Sequence, residues 1–96
     1  MVNLEKVNNA TRLLKGVAHP IRLSIMEVLK SSDPMCVTDI YEKIGVEQAV
    51  VSQHLKILKD RNILRSTKEG KHCYYSIKNE NFKQLLDVIA QCNECD

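Results

Sequence analysis

No stretch of these 96 residues can cross a bilayer, because the longest apolar runs fall far short of the ~20 residues required. The first residues, Met1-Val2-Asn3-Leu4-Glu5-Lys6, hold no basic segment followed by an apolar one. No secretion signal is therefore expected, no membrane partner either, and the cytoplasm is the expected compartment. There is no glycine-rich phosphate loop, no pair of catalytic carboxylates and no Cys/His pair at nucleophile–base spacing. Those absences argue against an enzyme and against a required cofactor. No internal repeat, linker or low-complexity tract divides the chain, so residues 1–96 read as a single domain. A domain this small is marginal for one core, and it gains by burying apolar helices against a second copy of itself.

What is present is unevenly spread. The formal net charge is only +2. Yet residues 47–73 carry six Lys/Arg against Glu47, Asp60 and Glu69, while residues 74–96 are net acidic. The positive excess is a modest footprint for a nucleic-acid backbone. Four cysteines in a chain of this expected compartment favour metal or thiol chemistry over structural disulfides.

The hydrophobic period is helical through the first sixty residues. Leu4, Val7, Leu14 and Val17 mark a first helix over about 3–15, with Gly16 placed to end it. His19-Pro20 opens a second, with Ile21, Ile25, Val28 and Leu29 inward up to Lys30. Residues 31–34 read as a loop. A short third helix points Ile40 and Ile44 inward and stops at Gly45, and a fourth runs over 47–59. Residues 63–68 and 72–77 then alternate as strands joined by Glu69-Gly70-Lys71, a hairpin. The alternation puts Cys73, Tyr75 and Ile77 on one face, with Cys73 expected to be buried. Phe82, Leu85, Leu86 and Ile89 mark a fifth helix. The fold class is mainly α with a small β-hairpin, in the order α-α-α-α-β-β-α.

Helix, glycine-bearing turn, helix is the helix-turn-helix arrangement, and a basic-tipped hairpin directly after it is a wing. On the fourth helix Val50, Val51, Leu55, Ile57 and Leu58 fall to one side. Gln48, Ala49, Ser52, Gln53 and Lys56 fall to the other, a stripe able to meet base edges and phosphates in a major groove. Arg65, Lys68 and Lys71 would hold phosphate or enter the minor groove with the wing. The plainer readings are a solvated helix face and charges that serve solubility. His54 lies among the apolar positions and is expected to be packed and hydrogen-bonded. His19 and His72 are assigned no role.

Four segments in order, His-Pro-Ile-Arg-Leu at 19–23, Met-Cys-Val-Thr-Asp-Ile at 35–40, Val-Ser-Gln-His-Leu-Lys-Ile-Leu at 51–58 and Lys-Glu-Gly-Lys-His-Cys-Tyr-Tyr-Ser-Ile at 68–77, resemble the ArsR/SmtB family of bacterial winged-helix repressors. The resemblance implies a homodimer clasped through the first and fifth helices. It implies binding to an imperfect inverted repeat in double-stranded operator DNA, and release by a metal ion or thiol chemistry. It also shows departures. Glu47 stands where members often place a Ser cap. Cys36 matches the first cysteine of the family's Cys-Val-Cys-Asp motif, but Thr38 replaces the second. Asn79 and Asn81 replace the Asp and His of the fifth-helix zinc site, and Cys92 and Cys95 replace its later His and acid.

Cys92 and Cys95, three apart on a helix, share a face and offer soft thiolates for As(III), Cd(II) or Zn(II), with Cys36 or a partner thiol as a third ligand. The alternative is oxidation or reactive sulfur bridging the same thiols, since their Cα atoms would be about 5 Å apart. A third reading gives the cysteines no sensing role. A winged-helix protein-interaction module without DNA affinity is the competing function.

Overall fold

The computed structural model describes residues 3–30 and 34–93. Among them the order is α1 Leu4–Val17, α2 Pro20–Leu29, β1 Met35–Cys36, α3 Val37–Ile44, α4 Gln48–Asp60, β2 Leu64–Glu69, β3 His72–Ile77 and α5 Asn81–Asn93. Of the loop expected at 31–34, residues 31–33 lie outside the described residues.

Local chemistry explains where the helices begin and stop. The Asn3 side chain accepts from the Glu5 and Lys6 amides (3.0 and 3.3 Å), and Glu5 and Lys15 sit at the ends of α1 that favour their charges. The α3 helix closes on Gly45, whose φ of 78° is costly for other residues and whose N–H donates to the Tyr41 carbonyl (2.9 Å). Gly16 does not end α1, contrary to the sequence expectation, since the helix continues to Val17. Its role is close packing: a methyl group at Gly16 would meet Ile63 Cδ1 at 2.5 Å and Arg61 Cδ at 3.2 Å. The missing side chain lets the end of α1 lie against the joint between α4 and β2.

The strands form an antiparallel sheet in the order β1-β3-β2. The two-residue β1 was not legible in the sequence because so short a run shows no alternation; it pairs Met35 with Tyr75 and Cys36 with Tyr74. In the hairpin Leu64 faces Ile77 and Lys68 faces Cys73. Gly70, with φ of 64°, takes the first central position of the turn, which type II′ hairpins reserve for glycine.

One cluster forms the core. Ile25, Met26, Ile40, Val51, Leu55, Leu58 and Ile63 are wholly buried, joined by Leu29, Leu64, Ile77, Phe82 and Leu86. Cys73 is exposed, which corrects the expectation that it is buried. It lies on the same face as buried Ile77 but nearer the hairpin tip, where the sheet has run past the core. Lys30 links the end of α2 to α5 through Asp87 (3.5 Å) while pairing with Glu27 (2.6 Å). Among the described residues no helix is long and apolar enough to span a membrane.

Candidate nucleic-acid interface

The α4 helix is seated by its inward face, where Val51, Leu55 and Leu58 are fully buried. That seating turns Gln48, Ala49, Gln53 and Lys56 to solvent, with Ser52 half-buried beside them. The stripe read from the wheel is therefore continuous in space along one helix face. Val50 and Ile57 are half-buried, at the edges of the packed face rather than within it. Glu47 is the N-cap of α4 but makes no side-chain cap bond. A carboxylate suits the positive end of the helix, yet the cap bond that Ser would supply is missing.

The wing does not gather its basic residues on one face. Arg65 pairs with Ser76 and Lys68 with Cys73, so the alternating strand sends Arg65 and Lys68 to opposite sides. Lys71 stands at the turn, and all three are exposed. Each can meet a phosphate, but one flat surface cannot take Arg65 and Lys68 together.

His54 is packed and hydrogen-bonded, as its place among the apolar positions led us to expect. Its Nδ1 accepts from Arg22 Nε (3.2 Å), and its ring lies 4.4 Å from that of His19. Burial, then His19, then the Arg22 guanidinium disfavour its cation and hold its pKa below the usual histidine value. His19, assigned no role from sequence, is the N-cap of α2, its Nδ1 accepting from the Ile21 amide (3.1 Å). The signal for it was present: the residue before a proline at the first helical position is the cap, and imidazole nitrogen accepts. His72 is exposed, edge-on to Tyr74.

The cysteines are less assembled. Cys36 is half-buried at the N-cap of α3, and its thiol donates to Asp39 Oδ2 (3.3 Å). Thr38, which supplies a hydroxyl where a thiolate would be needed, is exposed. Among the described residues no three His, Cys, Asp or Glu side chains come together to hold a metal. Cys95, and the side chain of Cys92 with which it was expected to pair, lie outside the described residues.

Residues 19–66 match the model of a family described as bacterial regulatory protein, arsR family. The chain is 31% identical over 88 residues to the uncharacterized HTH-type transcriptional regulator MJ1325 of Methanocaldococcus jannaschii, covering 92% of this chain and 99% of that one. It is 34% identical over 79 residues to a cadmium resistance regulatory protein CadC homolog of Staphylococcus aureus, covering 82% of this chain and 65% of the relative. Its fold is similar to that of AntR, an antimony-specific transcriptional repressor, with a TM-score of 0.89 at 28% identity over 98% of this chain and 85% of that one.

Proposed function

The chain belongs to the ArsR family of bacterial regulatory proteins, a family of transcriptional regulators rather than enzymes, and from that premise we propose a homodimeric operator-binding repressor relieved by a thiophilic metal or metalloid. The observation that carries the DNA-binding half is the outward stripe of Gln48, Ala49, Ser52, Gln53 and Lys56 over the buried Val51, Leu55 and Leu58. Amide and hydroxyl groups on an exposed helix read base edges, and Lys56, Arg65, Lys68 and Lys71 supply phosphate contacts.

The dimer is supported by apolar side chains that the single chain leaves in water. Leu4 is 70% exposed, Leu14 49% and Val88 54%, and all lie on α1 or α5. Ala10, Leu13, Leu14, Phe82 and Leu85 line a groove between those two helices. Burying these faces against a second copy relates two α4 helices by a two-fold axis and sets them for successive major grooves, about 34 Å apart, on an inverted repeat. The working unit is residues 1–96 as one winged-helix domain, acting in the cytoplasm where its DNA lies.

For the inducer, Cys92 and Cys95 with Cys36 are the assigned thiols. Soft thiolates suit As(III), Cd(II) and Zn(II), and the similar CadC homolog and AntR are named for cadmium resistance and antimony specificity, ions of the same preference. The alternative trigger is oxidation or polysulfide bridging of the same thiols, which the spacing of Cys92 and Cys95 favours. A mobility shift with the duplex upstream of the chain's own gene tests the whole reading. Reduced protein is expected to bind as a dimer, and arsenite or Cd(II) to release it. Cys92→Ser is expected to abolish that response. Release by polysulfide alone selects the redox trigger, and absence of salt-dependent duplex binding selects the protein-interaction module.

A further inference from the structure

Arg22 joins three helices. Its Nη1 donates to the Gly16 carbonyl in the last turn of α1 (3.2 Å), while its Nε donates to His54 Nδ1 in α4 (3.2 Å). Its own helix, α2, is capped by His19, whose ring rests 4.4 Å from that of His54 at a tilt of 40°. His54 sits between Gln53, on the outward stripe, and Leu55, wholly buried in the core. Whatever fixes His54 therefore fixes how the stripe is presented.

We propose that Arg22 is a positioning residue for α4, and that its bond to His54 is a proton-gated strut between the recognition helix and the α1–α2 scaffold. The inference rests on the DNA-binding reading above. The bond needs the lone pair on Nδ1, so the neutral ring carries its proton on Nε2. A second proton, taken from water at Nδ1, sets an N–H against the Arg22 N–H and a cation beside a guanidinium that does not deprotonate. The bond is then lost, and His54 is the partner that yields. Burial, His19 and Arg22 act on the ring, and all three oppose the charged form. The strut is whole above the usual histidine range and fails as pH falls through the lowered value of His54.

The direction separates this device from ordinary electrostatics. Protonating histidines adds positive charge, which by itself tightens binding to a polyanion. A strut that breaks on protonation weakens binding instead.

The test has two arms on the full chain. In the first, histidine titration by NMR without DNA follows His54 in the wild type and in Arg22→Gln. The expected result is a His54 titration below the free-histidine value that moves up in R22Q. The second measures affinity by fluorescence anisotropy for a duplex that the protein itself selects from a random-sequence library. As pH falls from about 7.5 through the lowered value of His54, the wild type is expected to lose affinity progressively, toward about tenfold once His54 is fully protonated, the equivalent of one hydrogen bond to a charged group. His54→Asn, whose amide oxygen stands near the place of Nδ1 and does not titrate, is expected to show no such loss. R22Q should already be weak at the higher pH. Equal pH profiles for wild type and H54N, or a His54 titration indifferent to R22Q, would overturn the strut. Selection that enriches no duplex would instead sink the DNA-binding reading, and the NMR arm would still decide whether the Arg22–His54 bond is proton-gated.

Discussion

Helix α4 and the β2–β3 wing both carry polar and basic side chains outward, but they are held in different ways. The helix has a wholly buried side formed by Val51, Leu55 and Leu58. The hairpin meets the core toward its base, through buried Leu64 and Ile77 and half-buried Tyr75, and from Thr67 to Cys73 every residue is exposed. In α4 the outward stripe is oriented by the core, so recognition and stability share a backbone. In the wing the charges are nearly free of the fold. A substitution there changes what the surface attracts and leaves the fold alone.

The sharpest way to break this contrast is Leu55→Ala. It empties a fully buried site and is expected to cost about 2–5 kcal/mol in urea unfolding, with DNA affinity falling alongside. A small change would mean that α4 is not anchored by that face. Gln53→Ala should separate the two properties within one helix. The unfolding midpoint is expected to hold while affinity for the selected duplex falls by about 1–3 kcal/mol, the worth of a good base contact. Gly16→Ala probes the joint between the two regions. Crowding Ile63 at 2.5 Å costs about 1–3 kcal/mol against a helix-propensity gain of about 1, so a net loss of thermal stability is expected. Glu47→Ser supplies the cap bond that α4 lacks and should raise stability by about 0.5–1 kcal/mol in the same melting experiment. The mildest is Lys71→Ala at the wing turn. Its melting curve is expected to match the wild type, while the salt dependence of duplex affinity falls by about 0.9 in log–log slope.

Much of the fold was legible because period and punctuation agree. The 3.6-residue spacing of Ile21, Ile25 and Leu29, the stop at Gly45 and the alternation ending at Ile77 each correspond to an element of the structure. The outward stripe of α4 was legible for the same reason, since burial of one helix face fixes exposure of the other. What was hidden depends on contacts distant in sequence. Gly16 looks like a terminator until Ile63 is set against it. Cys73 follows the strand pattern, but a pattern gives the face of a residue and not how far the core extends beneath it. Arg22 shows nothing in its own neighbourhood; its meaning lies in a bond to His54, thirty-two residues away. The opposite facing of Arg65 and Lys68 was implicit in strand parity, and charge counting passed over it.

The short strand β1 carries a final consequence. Cys36 is at once the last residue of β1, paired with Tyr74 in the wing, and the N-cap of α3. A single peptide link therefore splices the hairpin to the first helix of the DNA-reading pair. A shift of the Cys36 backbone would be felt by the hairpin and by α3 together, since both are joined to it directly.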